Sequence, residues 1–176
     1  SKNIIVAQCL LDGSGQIGLT GYQIDGLFVS HTLVQNCIFG GITLESCADV
    51  TLQYNLIVSQ KGALDHGMDC IGLSMVSCKN AAVNHNTIAQ LVDFKPVWIR
   101  NSEAILFTNN IISHNTLNAE NESGLMLSEN QTLNYNRNLL WSNKTKDGKE
   151  INYDPYAKSF KPQDDLNTDP LFLNPQ

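Results

Sequence analysis

The chain has 176 residues, 42% of them hydrophobic, and a formal charge of -6 from 11 basic and 17 acidic side chains. This size and hydrophobic share fit one packed domain rather than a disordered chain, and no apolar run approaches the ~20 residues that a membrane span needs. Only Arg100 and Arg137 carry guanidinium groups, so the clustered cations that phosphate binding relies on are missing and nucleic acid is not expected as a partner.

The opening segment, SKNIIVAQCLL, has the alternation of a short strand. It matches the second half of a seventeen-residue frame that recurs downstream, closest to CKNAAVNHNTI from Cys78. Ser1 thus stands in the middle of a repeat, and the open first coil is expected to pair with a missing upstream segment or with another chain. A weaker copy follows, in which Gly21-Tyr22-Gln23-Ile24 leads to Leu33, Asn36 and Ile38 with one residue inserted.

Four ungapped copies come next, from Gly41, Gly72, Pro96 and Gly124. In each, positions 2 and 4 are apolar, position 12 is apolar or aromatic, position 15 is Asn and position 17 is Ile or Leu. Short strands are predicted at positions 1–4, 10–13 and 16 onward. Stacked copies place like residues above one another in columns such as Ile38, Ile57, Ile88, Ile112, Leu140 and Val6, Leu33, Leu52, Val83, Phe107, Tyr135. Asn36, Asn55, Asn86, Asn110 and Asn138 form an amide ladder at a sharp corner, because Asn tolerates the left-handed region and its amide both donates and accepts. Glycine at position 1 marks a bend, and Pro96 in its place loosens that corner. Cys47 and Cys78 share position 7. They read either as members of a column of small buried side chains continued by Ser102 and Asn130 or as a disulfide between coils, since about 4.8 Å between strands lies within bonding reach. Three N-x-S/T sequons, at Asn121, Asn130 and Asn143, are what an Asn-rich chain produces by chance.

Spacers of unequal length, 39–40, 58–71, 89–95 and 113–123, all fall at one joint of the frame. Loops inserted at a common joint build a wall beside the strand that follows, and so a trough. Beyond 140 the frame stops. The stretch 141–176 is expected to cap the last coil, with Leu171, Phe172 and Leu173 folding back over it. Asp165, Asn167 and Asp169 alternate like the start of a calcium loop, but Pro170 replaces the turn glycine and the twelfth-position Glu is missing, so no cofactor is expected.

SKNIIVAQCLL, CKNAAVNHNTI and SEAILFTNNII resemble the repeats of the pectin-lyase-like superfamily. The resemblance covers residues 1 to about 140 and implies an all-β fold, a right-handed parallel β-helix solenoid of about five to six coils with an irregular C-terminal cap at 141–176. It implies that the Asn ladder is the second turn, that the spacers are the third turn, and that outward side chains of the following strand line a carbohydrate groove. On that strand and its loops lie the candidates. Arg100, His66, Lys95, Asp65 and Asp69 could take and stabilise charge in β-elimination from a uronate, or supply paired carboxylates for hydrolysis together with Glu45. Trp98, Glu45, Asp93 and His114 would bind substrate, with the indole stacked on a sugar ring. The signatures of the polygalacturonases and alginate epimerases are missing, and VWIRNS is similar to the VWIDH of pectate lyases only in outline, with Arg100 where the acid would be. The expected function is a carbohydrate-active protein, extracellular or periplasmic, that binds a polysaccharide and cleaves it as a lyase or glycoside hydrolase. The alternative is a non-catalytic glycan-binding or adhesin-type module.

Overall fold

A computed structural model of the chain describes residues 1–13, 15–58, 70–117, 123–152, 164–166 and 168. The chain enters through β1 (Lys2–Ala7) and β2 (Leu10–Asp12) and then repeats a three-strand coil. The coils are β3 (Ile17–Tyr22), β4 (Asp25–Ser30) and β5 (Leu33–Gln35), then β6 (Gly40–Glu45), β7 (Ala48–Gln53) and β8 (Leu56–Val58). The third is β9 (Ile71–Val76), β10 (Lys79–Asn84) and β11 (Thr87–Ala89), and the fourth is β12 (Lys95–Arg100), β13 (Glu103–Thr108) and β14 (Ile111–Ser113). The last is β15 (Leu125–Ser128), β16 (Gln131–Asn136) and β17 (Leu139–Trp141). Corresponding strands stack in parallel into three sheets: sheet 1 from β3-β6-β9-β12-β15, sheet 2 from β1-β4-β7-β10-β13-β16 and sheet 3 from β2-β5-β8-β11-β14-β17. The described residues contain no helix, and the fold is a parallel β-solenoid of about five turns.

No strand here could stand alone, so stability comes from columns of inward side chains. Val34, Ile57, Ile88, Ile112 and Leu140 form one such column, all nearly inaccessible to water. Val29, Leu52, Val83, Phe107 and Tyr135 form a second, with the last two rings stacked at 5.5 Å. Each fully buried aliphatic side chain contributes roughly 1.5–3 kcal/mol before entropy.

The register corrects the sequence reading of the first full coil. Because Ile17 pairs with Gly40 and Leu19 with Ile42, Gly18 lies opposite Gly41, and the seventeen-residue frame runs from Gly18 to Val34 without an insertion. Val29 and Val34 therefore occupy the columns expected for Leu33 and Ile38. Leu33 faces outward and Ile38 is 39% exposed. Thr32, not Asn36, holds position 15, and its N–H donates to Asn55 Oδ1.

The ladder itself is present. The N–H and Nδ2 of Asn55 both donate to Asn86 Oδ1, those of Asn86 to Asn110 Oδ1, and those of Asn110 to Asn138 Oδ1, at 2.9–3.1 Å. Asp165 Oδ1 ends the series by accepting the Asn138 N–H at 2.6 Å. The conformational reason differs from expectation. The left-handed residue is the one before position 15 of each coil, namely His31, Tyr54, His85, Asn109 and Arg137, with φ of 49–56°, while Asn36, outside this row, is itself left-handed at 57°. The Asn is retained for its amide. On the outer corner the exposed rings of His31, Tyr54 and His85 stack at 5.1 and 5.0 Å.

Two further ladders brace the other corners. At position 7 the column Ile24, Cys47, Cys78, Ser102 and Asn130 holds free, buried thiols, not a disulfide; Ser102 Oγ accepts the Cys78 N–H and Asn130 Oδ1 the Ser102 N–H. At the third turn, Asn115 Nδ2 donates to Asn143 Oδ1 and Asn143 Nδ2 to Asn152 Oδ1. The sequons at Asn130 and Asn143 thus carry amides committed to the interior. Pairing continues on both sides of Pro96, with Lys95 opposite Ile71 and Val97 opposite Leu73, so the expected loosening does not occur. Beyond β17, Gly124 and Leu125 donate to the carbonyls of Ile151 and Asn152, and Leu166 bridges Leu139, so chain after the last coil covers edges of sheets 1 and 3. The segment containing Leu171, Phe172 and Leu173 lies outside the described residues.

Candidate functional site

Sheet 1 presents two outward rows, because side chains on a strand alternate between faces. One row runs Thr20, Thr43, Ser74, Trp98, Met126 and the other Tyr22, Glu45, Val76, Arg100, Ser128. Positive charge and a large aromatic surface come together on one strand of this face, β12. Lys95 Nζ lies 5.4 Å from the centroid of the Trp98 ring and Arg100 Cζ 6.0 Å from it, both within the range of cation–π attraction. Val97 and Ile99, fully buried, lock the strand into the core and so fix where Trp98 and Arg100 emerge, while Lys95, at the start of the strand and on the parity of the inward positions, brings its Nζ to the ring along its long side chain.

Arg100 is not left to solvent. Its Nε donates to Glu129 Oε2 at 3.2 Å, across the gap to the next coil. Glu129 follows β15 at a left-handed corner, φ 55°, and is exposed. It was absent from the sequence-based candidates although a signal existed: stacking the frames sets position 6 of one copy diagonally beside position 5 of the copy before.

The remaining candidates separate. Glu45 is exposed in the Arg100 row, but Val76 stands between, which puts it about 10 Å away at two strand spacings. Asp93 sits in the third turn with φ 62°; its N–H donates to Thr116 O, and its nearly buried carboxylate pairs with Lys146 Nζ at 2.8 Å. Lys146 belongs to the tail beyond the frame, where no periodicity could point to it. His114 is exposed at the sheet 3 end of the third turn, with φ 55° and its N–H donating to Trp141 O. Asp65, His66 and Asp69 lie outside the described residues, as do Asn167 and Asp169 of the calcium-like segment. Asp165 already accepts from the Asn ladder, and among the described residues no three His, Cys, Asp or Glu side chains gather to hold a metal ion.

Chemically, the β12 cluster can hold an anion beside a flat ring. The fold and this face define a parallel β-solenoid with a cationic and aromatic patch on one sheet. Comparison with protein-family models, with curated proteins and with solved structures returns no match for this chain. Among the described residues no helix is long and apolar enough to cross a membrane.

Proposed function

We propose that the chain is a carbohydrate-active protein that holds an acidic polysaccharide against the outer face of sheet 1, outside the cytoplasm. The observation that carries this reading is the Lys95–Trp98–Arg100 cluster. On a protein of formal charge -6, two cations gathered around one indole make a local attraction for a carboxylated sugar, whose ring can lie on the aromatic surface while its carboxylate meets the cations. The likeness of the repeats to the pectin-lyase-like superfamily points the same way. Cleavage, by elimination or hydrolysis, would need the third-turn residues Asp65, His66 and Asp69 beside this cluster.

The non-catalytic reading has its own support. Arg100 and Asp93 are each engaged in an intramolecular ion pair, which suits a recognition surface better than a proton-transfer site. Incubation with uronate and neutral polysaccharides separates the classes: a lyase creates ultraviolet-absorbing unsaturated ends, a hydrolase creates reducing ends only, and a binding module creates neither. For all of them, Trp98→Ala is expected to weaken retention on immobilised uronate polymer by roughly tenfold, since stacking on an aromatic face is worth on the order of 1 kcal/mol or more. Unchanged retention would remove the cluster from the binding surface.

A further inference from the structure

We infer that Glu129 is an internal competitor for the ligand's carboxylate, one that sets how strongly the β12 cluster prefers acidic over neutral sugars. This rests on the reading of sheet 1 as a glycan-binding face. Arg100 offers five N–H donors in a planar fork, and a carboxylate binds that fork best through two parallel bonds. Glu129 uses only Nε, so the strongest mode is not satisfied within the protein, yet one edge of the fork is occupied and a negative charge stands beside it. An arriving carboxylate must either displace Glu129 or bind next to it against repulsion.

The internal pair is built to yield. Its side chains are 43% and 61% exposed, and ion pairs in water are individually weak. Buried Val97 and Ile99 fix the β12 backbone on either side of the indole, and with it the Arg100 Cα, independently of Glu129. Competition outweighs positioning, and removing the Glu129 charge strengthens acidic ligands selectively.

The test compares wild type, Glu129→Gln and Asp25→Asn by calorimetry with an oligogalacturonate and with a neutral xylo-oligosaccharide. Asp25 pairs with Lys2 on sheet 2, three coils from β12, so its replacement makes the same change in net charge away from the cluster. Glu129→Gln is expected to bind the oligogalacturonate roughly fivefold more tightly at low salt, with the gain shrinking as salt screens it, while its xylo-oligosaccharide affinity and the Asp25→Asn variant stay at wild-type values. If wild type binds the oligogalacturonate and Glu129→Gln binds it equally or less tightly, the competitor role is overturned and the glycan reading survives. An equal gain in Asp25→Asn also overturns it, because net charge would then be the cause. Failure of every protein to bind either probe overturns both.

Discussion

A threonine suits a left-handed backbone position badly, because its branched Cβ crowds the following carbonyl, and Thr132 occupies one at φ 53° with its side chain exposed. Gly26 fills the equivalent place two residues into sheet 2 with φ 79°, as do Asn3, Asp49, Asn80 and Ala104. Thr132→Gly is therefore expected to stabilise the fold by about 1 kcal/mol, the relief at φ exceeding the extra chain entropy of glycine. A higher urea midpoint with unchanged slope would show it. These corners were invisible in the sequence. Stacked left-handed positions at Gln23, Ser46, Ser77, Asn101 and Glu129 are not held to one residue type, so only the neighbouring, buried Asn positions repeated visibly. Composition records what a side chain must do and is nearly silent where only the backbone bends.

The Asn ladder behaves as an element in its own right. Asn86 joins three coils: it accepts from Asn55 and donates to Asn110 Oδ1 and to Leu52 O. Asn86→Ala would orphan the buried Asn55 N–H and the Leu52 carbonyl as well as leave a void. The expected loss is about 3 kcal/mol, whereas Asn36→Ala, whose amide reaches only the exposed Asp12 carboxylate, should cost about 1 kcal/mol, chiefly because alanine is disfavoured at φ 57°. Equal midpoints for the two variants would refute the ladder's importance. Coil spacing is held equally tightly at Gly72, where an added Cβ would meet Pro96 O and Leu91 Cδ1 at 2.6 Å; close approach, not a special φ, requires this glycine. Four copies of the frame were legible because their columns are chemically alike. The copy from Gly18 is masked in the sequence because Thr32 stands in the Asn row and Gly21 in an apolar row opposite Leu44. The turn at 145–149, where Thr145 Oγ1 bonds Asp147 and Lys149, repeats nothing and so gave no signal.

For the whole molecule, one buried thiol couples folding to alkali. Burial pushes the Cys78 thiol from 9.0 up to about 11, because a thiolate there would lose its water. The folded state thus favours the protonated form. Its contribution is complete below pH 9.0 and is lost as pH rises toward about 11, where unfolded chains ionise first. Global stability is expected to fall across that interval, and Cys78→Ser or Cys78→Ala should flatten the decline in urea midpoint. A decline of the same size in both variants would exclude Cys78 as its source. At this scale the candidate site was legible in part. Trp98, Arg100 and Lys95 were found because three chemically unusual side chains sit on one strand, but their partner Glu129 lies 29 residues from Arg100 and becomes a neighbour only through stacking.

The amide ladder also gives the solenoid an electrical direction. From Asn55 through Asn110, each side-chain N–H points to the oxygen of the following coil, so the dipoles of successive rungs add instead of cancelling, as they do along a helix. The positive end of this series lies at Asn138, whose Nδ2 donates to Phe107 O and Asn136 O and whose backbone N–H meets the carboxylate of Asp165. A residue that looked like the start of a calcium loop thus acts as a counter-charge, an anionic stopper on a one-way column of amides that polarises the rungs beneath it.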